Sequence, residues 1–180
     1  MCIRCNLCLT SNFENVNDEN MKRDVKVGLY IMIKKLPTEL FNEIYRQVPR
    51  LCVDIIIYTL QGIILTKRLI PPCVGMWHIP GGTVLIGEKL EEAVSRIANE
   101  ELGVDVKIKN MIGIIEYLEL FNYSVGVVFL CELKSEEQEF RGSFQAEEIK
   151  AFKTIPDNTI VEQKKFLIGL QRQEHVKYDL

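Results

Sequence analysis

Between Gly75 and Val104 the chain reads GMWHIPGGTVLIGEKLEEAVSRIANEELGV, and carboxylates stand in it where a helical pattern calls for apolar side chains. Lys89–Leu102 is predicted to be a helix, opened by Gly87-Glu88 and closed by Gly103, a residue suited to a left-handed cap. Taking about 100° per residue with Leu90 at zero, Ala93, Val94 and Ile97 lie within roughly 60° of it and form the core-facing stripe. One turn further, Glu101 falls at about +20° and Glu100 at about −80°, so the stripe ends in one carboxylate with a second beside it. Adjacent acids in such a place shift their pKa and share a proton, or are neutralised by a cation, and hard divalent cations take oxygen ligands of this kind. Pro80-Gly81-Gly82 ahead of the helix is expected to make a tight turn whose backbone approaches a ligand closely, so that a carbonyl from it could complete a metal site. Glu91 and Glu92 read as the solvated face.

The same stretch has a fixed spacing: Gly82, five residues, Glu88, seven residues, Arg96, then Glu100-Glu101-Leu102-Gly103-Val104, preceded by Gly75-Met76-Trp77-His78-Ile79-Pro80-Gly81. This resembles the Nudix box, with Gly82, Glu88, Arg96, Glu100, Glu101 and Gly103 at its defining positions; weaker likeness runs from Leu36 to Phe152. The resemblance implies a Nudix-type α/β/α sandwich with a mixed β-sheet. It also implies Mg²⁺, with Mn²⁺ as the alternative, held by the Gly81 carbonyl, Glu100, Glu101 and Gln145. The substrate it implies is a nucleoside diphosphate linked to another group.

One position departs from the box, since Arg96-Ile97 stands where Arg-Glu is usual and that Glu is a metal ligand or the base in many relatives. The helix before Pro49, a strand carrying Asp54, Lys67-Arg68 ahead of Gly75-x-Trp77, and the Arg-hydrophobe pair look like the GDP-mannose mannosyl hydrolase branch. There water attacks the sugar carbon; the likeness places Asp54 beside the sugar and Arg68 on the pyrophosphate, a task for a bidentate guanidinium. Asp54, Arg68 and Glu100 are then the catalytic set. Thr83 replaces that branch's Arg and Ala146 its His base, so the base is sought among Glu100, Glu119, Glu147 and Glu148. The alternatives are cleavage at phosphorus, as in ADP-ribose or nucleotide pyrophosphatases, and a non-catalytic sensor of a nucleotide metabolite.

The elements around these residues follow from the rest of the chain. With 180 residues, 47% of them hydrophobic, it has the size of one globular domain. A net charge of −3 and a pI of about 5.6 argue against nucleic acid or an anionic membrane as partner; the small-molecule nucleotide is the partner that the Nudix resemblance implies. Residues 1–31, polar over much of their length, are expected to be a disordered extension, 32–172 the folded domain and 173–180 a polar tail. Val27–Ile33 is too short to span a membrane. No secretory signal pattern is present, so Cys52, Cys73 and Cys131 read as reduced thiols in a cytoplasmic protein. Cys2, Cys5 and Cys8 begin a metal-binding spacing, but no fourth ligand follows.

Thr38 is placed to cap a helix over 39–47 that Pro49 stops, amphipathic enough to pair with a second subunit in a homodimer. Strands are predicted over 51–59, 63–67, 104–109, 111–118, 125–133 and 148–152, and a closing helix over 160–171. Asp54 interrupts an otherwise apolar strand, which calls for either a ligand or an ion pair with Arg50 or Arg68 on an edge strand. His78 and His175, the two histidines of the chain, read as structural or idle.

Overall fold

The computed structural model describes residues 35–118, 123–135, 137–142 and 146–174. Its first helix, α1 (Thr38–Tyr45), is followed by strand β1 (Arg50–Thr59), the axis of the molecule. β1 alternates Val53, Ile55 and Ile57 toward one side with Asp54 and Ile56 toward the other, because successive strand side chains point to opposite faces. Both faces are covered, which is why the run reads as nearly continuous apolar sequence.

Parallel to β1 lies β6 (Ser124–Leu133), in register from Arg50↔Ser124 to Ile57↔Cys131. At its C-terminal end β1 turns through Leu60-Gln61 into antiparallel β2 (Gly62–Arg68), and at its start it pairs with the short β4 (Gly81–Thr83). Beyond β2 come β3 (Trp77–His78) and β7 (Ala146–Phe152), and beyond β6 comes β5 (Val106–Tyr117). The result is one seven-stranded mixed sheet.

Helix α2 (Leu90–Ile97) lays Ala93, Val94 and Ile97 on the face that carries Val53, Ile55 and Ile57. Helix α3 (Val161–Glu174) brings Leu167 to the opposite face, against Ile56, Leu65, Trp77 and Val128. Each fully buried Val or Ile contributes about 1.5–3 kcal/mol, so the two helix–sheet contacts hold the three layers together. This is the expected α/β/α sandwich.

Several local expectations are corrected. The α2 pattern does not run on as α-helix to Leu102: after Ile97 the backbone widens into a π-helical turn over Ala98–Leu102, closed by Gly103 at φ +68°. A turn that closes i→i+5 advances less per residue, so Glu101 and Leu102 both face inward, where an α-helix would have rotated Leu102 outward. Pro80-Gly81-Gly82 is not a tight turn; Gly81 and Gly82 are extended in β4, opposite Asp54 and Val53. The two strands expected at 104–109 and 111–118 are one, β5, with register shifts near Asn110 and Ile112. Thr38 makes no side-chain cap, and Pro37 holds the N-cap position of α1. That helix buries none of its residues, and Leu40 and Ile44 stay exposed. The extension 1–31, with Cys2, Cys5 and Cys8, lies outside the described residues, as does His175.

Candidate active site

Asp54 sits mid-sheet, flanked by β4 on one side and β6 on the other, so the edge-strand reading does not hold. Two glycines make room for it. A Cβ on Gly81 would overlap its Oδ1 and one on Gly126 its Oδ2, so larger residues at either place would displace the carboxylate. Its hydrogen-bond partner is Tyr117, whose hydroxyl donates to Oδ2 at 2.8 Å, and not Arg50 or Arg68. Burial drives the Asp54 pKa up to about 7, against the opposing pull of the Tyr117 hydrogen bond and the Arg50 charge.

The π-helical turn delivers the second acid. Glu101, 9% exposed, accepts a hydrogen bond from the Gly81 N–H at 3.2 Å through Oε2. Burial raises its pKa to about 7; the Gly81 N–H and the Arg68 charge work against this, and the charges of Asp54 and Glu100 add to it. A strand residue sends its N–H and its C=O to the same side, so the Gly81 carbonyl leaves β4 toward Glu101 as well. Two buried carboxylates and a backbone carbonyl make a hard-oxygen environment with excess negative charge, which fits a divalent cation. Among the described residues no three His, Cys, Asp or Glu side chains are grouped to hold a metal unaided.

The remaining box residues build the frame. Glu88 accepts from Arg96 Nε at 2.6 Å and Nη2 at 2.9 Å and from the Leu85 N–H at 2.9 Å, while Arg96 Nη2 also donates to the Thr83 carbonyl. Burial alone would raise Glu88, but these bonds outweigh it and hold its pKa below the ordinary value. Glu88 and Arg96 therefore clip the segment between β4 and α2 to the helix. Glu100 is at the rim, its Oε2 2.8 Å from Lys35 Nζ and 3.2 Å from Arg96 Nη1. Glu100 thus engages two cations at the rim, and its charge still acts on Glu101.

Arg68 ends β2 with its guanidinium on the carbonyls of Pro72 (2.6 Å) and Pro71 (3.5 Å). Burial lowers its pKa, while the charges of Cys73 and Glu101 act to raise it, so Arg68 feels the Glu101 carboxylate. Ile97 is 2% exposed, and its Cδ1 lies 3.1 Å from where a Cβ on Gly82 would be. His78 is buried in β3 between the Thr66 hydroxyl (3.0 Å) and the Ile79 carbonyl (2.9 Å), and burial lowers its pKa to about 4, so it stays neutral. Glu148 lies on the surface between Lys67 and Lys150, which hold its pKa low and leave it a poor base. Gln145, Glu119 and the side chains of Ala146 and Glu147 lie outside the described residues.

Sequence reasoning missed Tyr117 and Gln163. Gln163 is buried on α3; its Nε2 donates to the Tyr117 hydroxyl at 2.9 Å and its Oε1 accepts the Ile79 N–H at 2.8 Å. The one signal available was a glutamine at a core-facing helix position, and its partners are 46 and 84 residues away.

The NUDIX domain family model matches residues 48–168. The low-salt glycan biosynthesis protein Agl8 of Haloferax volcanii is 40% identical over 83 residues, 46% of this chain and 53% of that protein. The ADP-ribose pyrophosphatase of Methanocaldococcus jannaschii is 42% identical over 66 residues, 37% of this chain and 39% of that one. The matches therefore span about half or less of these curated relatives. A NUDIX hydrolase from Nitrosomonas europaea shares the fold with a TM-score of 0.62 at 21% identity, over 73% of this chain and 74% of its own.

Proposed function

Since the chain belongs to the Nudix family, we propose that it hydrolyses a nucleoside diphosphate linked to a sugar with the help of a divalent cation, water attacking the sugar carbon. The observation that carries this reading is Ile97. It is packed between Gly82 and the core at the box position where the family usually has a carboxylate, so no base stands beside the phosphorus from that position. Similarity to a protein named for glycan biosynthesis supports a sugar-containing substrate.

In this proposal Glu101, the Gly81 carbonyl, Glu100 and Gln145 would hold the cation, and Mg²⁺ would serve, with Mn²⁺ able to replace it. When bound, the cation neutralises the diphosphate and makes it a better leaving group. Arg68, whose charge acts on Glu101, exchanges its proline carbonyls for diphosphate oxygens. Asp54 receives a sugar hydroxyl or the attacking water. A bond forms from the water oxygen to the anomeric carbon as the bond from that carbon to the phosphate oxygen breaks. The electron pair leaves with the diphosphate, and the water's proton passes to a carboxylate. Attack at this carbon demands less of the nucleophile than attack at phosphorus, because bond breaking runs ahead. The protein acts in the cytoplasm on a small molecule, with neither nucleic acid nor membrane as partner, through a domain spanning residues 32–172.

The identity to an ADP-ribose pyrophosphatase favours a second reading, cleavage at phosphorus with a loop glutamate as base. Hydrolysis of GDP-mannose in water enriched with heavy oxygen separates the two. The expected products are an intact nucleoside diphosphate and a free sugar carrying the label. Label on phosphate promotes the pyrophosphatase, and ligand-induced thermal stabilisation without any product points to a sensor.

A further inference from the structure

Four groups, on α3, β5, β1 and the segment between β3 and β4, form a chain of hydrogen bonds whose direction is set at one end. The Ile79 N–H can only donate, so the Gln163 atom facing it at 2.8 Å is the amide oxygen. Its Nε2 must then donate to Tyr117, 2.9 Å away, and the Tyr117 hydroxyl, with that lone pair engaged, sends its own proton to Asp54 Oδ2 at 2.8 Å. Gln163 is 4% exposed and Asp54 5%, so bulk water competes little for these hydrogen bonds. Oδ2 is thereby occupied and lies against Gly126, while Oδ1 lies against Gly81, the residue whose N–H meets Glu101.

We propose that Tyr117 and Gln163 are positioning residues for the reaction: they commit Oδ2 of Asp54 to a hydrogen bond and so present Oδ1 alone to the substrate, beside Gly81. The inference rests on the reading above, in which Asp54 meets the sugar or the water. It adds that the closing helix takes part in the site, since Gln163 binds at once the segment leading into β4 and the tyrosine that orients Asp54. A polar pair with one fixed hydrogen-bond direction restricts the carboxylate more than packing alone, and catalytic geometry is sensitive to displacements of about 1 Å.

The test is a double-mutant cycle on the full chain with Mg²⁺, using GDP-mannose and ADP-ribose as substrates. Tyr117→Phe removes the donor to Asp54. Gln163→Glu keeps an acceptor for the Ile79 N–H but replaces the amide donor by a second acceptor, which draws the Tyr117 proton away from Asp54. Each single change is expected to lower kcat by about tenfold or more and to move KM by less than about threefold. The double variant should be no slower than the slower single one, because both act through the same carboxylate. Additive losses in an active enzyme overturn the proposal and leave the functional reading standing. A wild type inactive on both substrates overturns that reading, and the proposal falls with it. Should the carboxylate introduced at position 163 prevent folding, Tyr117→Phe decides: a normal kcat in that variant, with an unchanged unfolding temperature, also overturns the proposal.

Discussion

At the scale of single residues the site is governed by the cost of burying acids. Asp54 and Glu101 are held in a space that opposes their charge, and the backbone N–H of Gly81 offsets only part of that cost for Glu101. A cation bound there would offset it. Glu101→Gln keeps an acceptor for the Gly81 N–H but loses the charge; Mg²⁺-dependent turnover should disappear while the circular dichroism spectrum and metal-free unfolding temperature stay at or above the wild-type values. Turnover near wild type at the same Mg²⁺ would remove Glu101 from the metal site. His78 gives a pH signature of its own. Its pKa is lowered from 6.5 to about 4, so the unfolded chain binds its proton first as pH falls. Stability held above 6.5 is therefore lost as pH drops from 6.5 toward 4, by up to about 3 kcal/mol. Asp54 and Glu101, with raised values, act with the opposite sign over an overlapping range, so the measurement is the difference between wild type and His78→Gln in urea unfolding. An equal pH dependence in both proteins would show that His78 is not buried neutral.

At the scale of elements the decisive feature is the join between α2 and the turn that follows. An α-helix continued through Leu102 would leave one of Glu101 and Leu102 outside; the wider turn buries both, the acid toward Gly81 and the leucine in the core. Gly103 closes it at φ +68°, and a Cβ there would come within 2.8 Å of the Arg141 Cβ. Gly103→Ala should cost about 1–2 kcal/mol from the left-handed conformation, plus the strain of moving Arg141. Gly169→Ala on α3, where nothing lies within 4 Å of the added atom, should leave stability unchanged or raise it by up to about 1 kcal/mol. Thermal unfolding of the pair checks this, and equal effects would show that the cap does not hold the turn. The Glu88–Arg96 clip serves the same join from its other end, since it ties the Thr83 and Leu85 backbone to the helix.

At the scale of the molecule, β1 carries the site because it alone pairs with β4, β6 and β2, so a side chain on it meets loops from both halves of the chain. Asp54 lies where β1 passes between the glycines of β4 and β6, with α3 reaching it through Gln163. The family match begins at residue 48, and the polar composition of much of the extension gives it little to dock with. Deletion of residues 1–31 should leave the unfolding temperature and turnover nearly unchanged; a large fall in either would make the extension part of the fold.

The sequence alone carried the layered α/β architecture, the span of the box and the inward direction of Glu101, because periodicity and glycine placement are local properties that a chain displays directly. Asp54 stood out for the same reason, a charge in an apolar strand. Its partner did not, since Arg50 and Arg68 were the candidates by charge while the group that meets it is the Tyr117 hydroxyl, 63 residues away on another strand. Nor did the sequence show that Gly81 and Gly82 are strand and not turn, because a glycine fits either and only the pairing with Asp54 and Val53 decides between them. The widening of α2 into its last turn, the outward pairing of Glu100 with Lys35 and the place of Gln163 are likewise tertiary outcomes, settled by which surfaces meet once β1 is buried on both faces.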